Sequence, residues 1–213
     1  MLRRLVIALA TFAGMAAIPL PAMAHHAMGG AVPATAWEGF VSGIAHPVIG
    51  LDHLAFLVAA GLLAAAAPQR GGAWALMAFL GMGVIGALLH LGGVGLGPVE
   101  LLVALSVLCA GVLLLAPPAR LPMAAPAWLV PAFAAAGLFH GHAYAEAVAG
   151  AGAAPVLAYL LALVMMQAAL GLGVMALARR FGGGTGGAML QRRWAGMAAT
   201  VVGVVAFLTA VLA

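Results

Sequence analysis

The sequence predicts an all-α protein: a polytopic membrane helix bundle of six transmembrane helices behind a cleavable signal peptide. Three observations predict it. Of 213 residues, 67% are apolar and 6% are charged, against about half and about a quarter in soluble domains. Eight arginines, four acids and no lysine cannot cover a water-soluble surface. Apolar runs of about 20 residues, the length that crosses a hydrocarbon core, recur along the chain. Arginines and histidines sort to opposite ends of those runs.

The first element is the targeting segment, residues 1–24. Arg3 and Arg4 precede an apolar stretch from Leu5 to Ile18, then Pro19 and Pro21, then the small-x-small site Ala22-Met23-Ala24. That is the grammar of a secretory signal; a retained first membrane helix is the alternative reading. Cleavage after Ala24 leaves one membrane transport domain, 25–213, beginning with His25-His26 outside a bacterial inner membrane.

Spans follow at 48–67, 72–91, 98–117, 126–148, 154–178 and 193–213, each junction marked by proline, glycine or arginine. Short connections make antiparallel neighbours. With the mature N-terminus outside, the cytoplasmic connections carry Arg70, Arg120, Arg179, Arg180, Arg192 and Arg193, and the outer connections carry no arginine. All six obey the positive-inside rule in one orientation, which also places the C-terminus outside.

Composition removes several functions. The cations form no basic stripe, so nucleic acid is not a partner. Without lysine there is neither a Walker A loop nor a Schiff base. Cys109 stands alone in an apolar run and reads as a small core residue. The two serines, Ser42 and Ser106, leave little choice of nucleophile, and Ser42 reads as a helix-start residue. The glycines, such as Gly39 and Gly43, read as close-approach positions between membrane helices. Met165 and Met166 beside Gln167 read as core packing rather than soft metal ligands.

The remaining ionisable groups all fall in the outer half of this topology. His46, Asp52 and His53 enter with the first span and His140, His142 and Glu146 end the fourth. His25, His26, Glu38, His90 and Glu100 lie at the outer ends. Such groups at bilayer depth are costly and read as functional. His46, Asp52, His53, His140, His142 and Glu146 are therefore the candidate metal-ligating set, with His25, His26, His90 and Glu100 secondary. Imidazole with carboxylate suits Ni2+, Co2+ or Zn2+, and the lack of thiolates argues against Cu(I). On a straight helix His46 and His53 stand about 10 Å apart along the axis, too far for one ion. Either Pro47 and Gly50 break the helix, or the fourth span completes the shell, where His142 and Glu146 share a face. The two clusters share a spacing, G-x-x-H-P-x4-D from Gly43 to Asp52 and G-x-x-H-G-x4-E from Gly137 to Glu146. On oppositely directed spans that suggests an inverted repeat.

At these residues the chain resembles the HupE/UreJ family of hydrogenase and urease accessory membrane proteins, taken to be nickel or cobalt permeases. HPVIGLDH, from His46 to His53, carries the pattern H-P-x-x-G-x-D-H. FHGHAYAE, from Phe139 to Glu146, is similar to the second signature, with Ala145 where a glycine is common; this leaves open whether His140 or His142 partners Glu146. The resemblance implies that His46, Asp52, His53, His140 and Glu146 are needed for metal uptake. The expected function is a nucleotide-independent permease for Ni2+ or Co2+, Zn2+ suiting the same ligands, with no tightly bound cofactor. Its partners are the ion and the lipid bilayer, and a homo-oligomer is compatible with the sequence. The rival readings are an intramembrane zinc-dependent hydrolase and a bis-histidine haem protein, which the carboxylates fit badly.

Overall fold

The computed structural model describes residues 31–116, 128–181 and 185–212. The expected signal peptide, His25, His26 and Arg120 lie outside them. Among the described residues the regular elements are all helical.

Helix α1, Ala36–Ile49, starts at a capping box: the Thr35 hydroxyl accepts from the Glu38 amide, and the Glu38 carboxylate accepts from the Thr35 amide at 3.1 Å. The pair satisfies first-turn amides that lack helical partners. Ser42 is buried in mid-helix, so the helix-start reading of that residue is corrected: the cap lies seven positions earlier, at Thr35. Helix α2, Leu51–Ala66, follows after Gly50 alone, and the two helices bend by 73°. The sequence placed one span over 48–67; the chain instead enters through α1 and turns at the Pro47–Gly50 step.

Helix α3 is Gln69–Leu91 and α4 is Val99–Leu115. Their connection turns through Gly93 and Gly97, both at positive φ, a conformation that glycine adopts without a Cβ clash. Helix α5, Leu129–Ala145, runs into a 3-10 turn, Glu146–Val148. Helices α6, Ala153–Phe181, and α7, Thr185–Leu212, complete the bundle. Among the described residues, three helical segments are long and apolar enough to cross a membrane alone: Arg70–Leu91, Ala153–Phe181 and Met189–Leu212. The bent α1–α2 pair makes a fourth if it counts as one span, and the apolar α4 is shorter, at 17 residues.

Three helix pairs have the most extensive contacts: α3 with α5, α4 with α7, and α1 with α6. Each is closed by glycine. A Cβ at Gly141 would run into the Gly83 backbone, one at Gly43 into the Tyr159 carbonyl, and one at Gly111 would lie 2.5 Å from the Thr200 amide. In lipid, where no hydrophobic force drives helices together, such close approach supplies the packing. Helix α2 is the hub, touching α1, α3, α4, α6 and α7, with Phe56, Leu57, Ala60, Leu63 and Ala64 buried.

Two arginines finish helices that are not their own. From α6, Arg179 donates to the carbonyls of Ala64 at 2.9 Å, Ala65 at 3.3 Å and Ala67 at 3.1 Å. From α7, Arg192 donates to Leu113 at 2.9 Å, Leu114 at 2.8 Å and Ala116 at 3.1 Å. A planar cation at the negative end of a helix dipole satisfies carbonyls that have no helical donor. These side chains therefore dock α6 on α2 and α7 on α4, in addition to the topological role read from sequence.

Candidate functional site

The site begins with the break between α1 and α2. Pro47 has no amide to donate, and Gly50 takes an extended conformation at φ −73° and ψ 99°. A Cβ on Gly50 would lie 2.7 Å from His53 Cδ2, 3.3 Å from the His46 carbonyl and 3.4 Å from Asp52 Oδ1. The position needs glycine for space, not for φ. The helix does break at this step, and the His46 and His53 ring centroids stand 5.6 Å apart.

Asp52 lies in the first turn of α2, where its Oδ1 accepts from the His53 amide at 2.8 Å. A carboxylate there complements the positive end of the helix dipole. It also lies within electrostatic reach of His140 and Tyr144.

His46, His53 and His140 are all buried. His53 Nδ1 and His140 Nδ1 are 2.9 Å apart, and His140 Nε2 is 2.8 Å from Ser106 Oγ on α4. His46 Nδ1 is 2.9 Å from the Tyr159 hydroxyl on α6, which donates to the Tyr144 carbonyl at 2.7 Å. The Tyr144 ring stacks on His53 at 4.1 Å and meets His46 edge-on at 5.0 Å. Phe56 closes the inner side against His140 at 4.5 Å. Five helices thus supply one polar cluster inside an apolar bundle.

His142 belongs elsewhere. Two positions along a helix is about 200° of rotation, so His142 points away from His140. Its Nδ1 is 3.2 Å from His90 Nδ1 on α3, and its Nε2 donates to the Val94 carbonyl at 2.9 Å. Glu146, exposed at the 3-10 turn, acts electrostatically on His90. Glu100 is exposed in the first turn of α4. The candidates that the sequence gathers into one receptor therefore form two groups, an inner one around His46, His53 and His140 and an outer one around His90 and His142. Among the described residues no three His, Cys, Asp or Glu side chains are grouped so as to hold one metal ion.

The sequence reading does not place four neighbours of this cluster: it leaves Tyr144 and Tyr159 unremarked, and notes Ser106 and Gln167 without assigning them to it. The signal was present. The chain has only two tyrosines, and both are buried here rather than at the membrane interface where tyrosine collects. Tyr144 Oη is buried without a hydrogen-bond partner among the described residues; buried Gln167 approaches it outside bonding geometry. Met165 is exposed, so the core-packing reading of that residue is corrected: its side chain lies on the outer surface of the bundle. Cys109 is exposed too, which overturns its reading as a core residue.

The family model described as HupE / UreJ protein matches residues 13–206. Protein HupE of Rhizobium leguminosarum bv. viciae is 32% identical over 170 residues, covering 79% of this chain and 83% of that protein. No solved structure matches. The match runs through the helix break, the buried histidine cluster and the apolar helices alike, and the chain belongs to the HupE/UreJ family.

Proposed function

We propose that this chain is a secondary permease that takes up a divalent transition-metal ion, Ni2+ or Co2+, without a nucleotide step, and supplies metalloenzyme maturation. In this reading α4 and α5 also cross the bilayer, giving six spans in an inner membrane with both termini outside after signal cleavage. The supporting observation is the burial of His46, His53 and His140 around a broken helix. Broken helices in transporters put carbonyl-bearing C-terminal ends beside the ion path, and the α1 C-terminus faces Asp52 and His53 across Gly50.

Cations gather at the outer group of His90, His142 and Glu146, helped by Glu100, His25 and His26, and pass to the inner group of His46, Asp52, His53 and His140. Neutral imidazole with carboxylate suits a borderline dication. An ion in transit must leave as readily as it enters, and few protein ligands completed by water permit that. The inside-negative potential favours inward transfer of a dication by about 4.6 kcal/mol per 100 mV, twice the value for one charge.

Uptake of radiolabelled nickel by cells at limiting metal is the test. Asp52→Ala should abolish it at unchanged protein level in the membrane; undiminished uptake overturns the assignment of this site.

A further inference from the structure

The heavy-atom distances in the inner group fix where its protons sit. Two oxygens 2.7 Å apart require a proton between them, and a carbonyl has none to give. The Tyr159 hydroxyl proton therefore points at the Tyr144 carbonyl, 2.7 Å away, so Tyr159 Oη can only accept from His46 Nδ1 at 2.9 Å. A neutral His46 thus carries its proton on Nδ1 and its lone pair on Nε2.

The same count runs through α4. Ser106 spends its proton on the Val103 carbonyl at 2.7 Å, so it accepts from His140 Nε2 at 2.8 Å. A neutral His140 protonated on Nε2 has its lone pair on Nδ1, and it accepts from His53 Nδ1 at 2.9 Å. His53 then also carries its lone pair on Nε2. The outer group repeats the pattern: His142 donates from Nε2 to the Val94 carbonyl and accepts from His90 Nδ1.

We propose that Tyr159 and Ser106 are positioning residues of the ion site: they set the tautomers of His46 and, through His140, of His53, so that both rings bind the entering cation through Nε2 while His140 acts as a relay. This rests on the permease reading. Three observations support it. The Cδ2 edge of His53, which adjoins Nε2, faces the Gly50 break, where Asp52 Oδ1 and the His46 carbonyl also lie. The 5.6 Å between the His46 and His53 ring centroids falls in the range of about 5–6 Å expected for two imidazoles on one ion with metal–nitrogen bonds of about 2.0–2.1 Å. Histidine ligands commonly donate their second ring N–H to a fixed acceptor, and loss of that acceptor lowers metal affinity about 10- to 100-fold.

The test compares Tyr159→Phe, Ser106→Ala and Ser106→Thr with wild type, in nickel uptake kinetics and in nitrogen NMR of histidine-labelled purified protein. Tyr159→Phe and Ser106→Ala should raise KM for nickel about 10- to 100-fold with Vmax per molecule kept, and Ser106→Thr should restore wild-type KM. Without metal, His46 and His53 should show protonated Nδ1 in wild type. Tyr159→Phe should release that preference in His46 alone, and Ser106→Ala in His53 alone. Added Co2+ should perturb the Nε2 signals of His46 and His53 before those of His140. Variants that lower only Vmax, an unchanged KM, or wild-type rings protonated on Nε2 overturn the proposal. Absence of uptake by wild type would sink the permease reading alone, since the NMR and Co2+ titration still decide the tautomers and the binding nitrogens.

Discussion

At the scale of single residues, small differences in atomic position separate a ligand from a support. Gly50 is the sharpest case. Its φ is open to any residue, yet a Cβ there would stand 2.7 Å from His53 Cδ2. Gly50→Ala should displace the His53 ring from both Asp52 and His140, and nickel uptake should fall at least tenfold while the protein still accumulates in the membrane; uptake at the wild-type level would show that the ring has room to yield. The motif residues His46, Asp52 and His53 were legible as chemistry because polar groups inside apolar runs are costly. Ser106 was not, because a serine hydroxyl in a membrane helix most often bonds its own backbone, and Tyr159 was not, because a tyrosine in an apolar chain is expected at the membrane interface. Only the facing helices bring each oxygen within hydrogen-bond distance of an imidazole nitrogen.

At the scale of elements, glycine contacts and borrowed caps hold the helices in register. The contact between α3 and α5 contains its own control. A Cβ at Gly141 runs into the Gly83 backbone, whereas one at Gly83 meets only the Gly137 carbonyl at an ordinary 3.6 Å. Gly83→Ala should therefore change stability by less than about 0.5 kcal/mol. Gly141→Ala should cost about 1–3 kcal/mol, as overpacking does. Thermal unfolding in detergent reads both, and equal effects would deny the asymmetry. Arg179→Lys tests the α6 cap on α2: an ammonium cannot span three carbonyls as the guanidinium fork does. Its melting temperature should drop, and Arg180→Lys, outside that cap, should leave it unchanged.

At the scale of the whole molecule, the claim is a direction: histidines and acids outside, arginines inside. Cys109, the single cysteine, is exposed, so Cys109→Ala provides a silent background. On it, Gly95→Cys in the open α3–α4 turn should react with a membrane-impermeant thiol reagent in intact spheroplasts. Arg70→Cys, at the start of α3, should react only after lysis. The reverse pattern would invert the topology and with it the inward path.

The amino-acid order alone determined the apolar solvent and the helical class, because composition and span length act locally along the chain; it offered the break at Pro47 and Gly50 as one of two alternatives, the one for which the structure decided. It also marked the histidines and carboxylates, since apolar surroundings make them conspicuous. Which imidazole meets which was decided only in three dimensions. His140 and His142 are neighbours in sequence and about 200° apart on their helix, so one joins His53 and Ser106 while the other joins His90 and Val94. The rotation of each helix about its axis follows from glycine contacts with helices distant in the chain, and the proton order of the site follows from that packing.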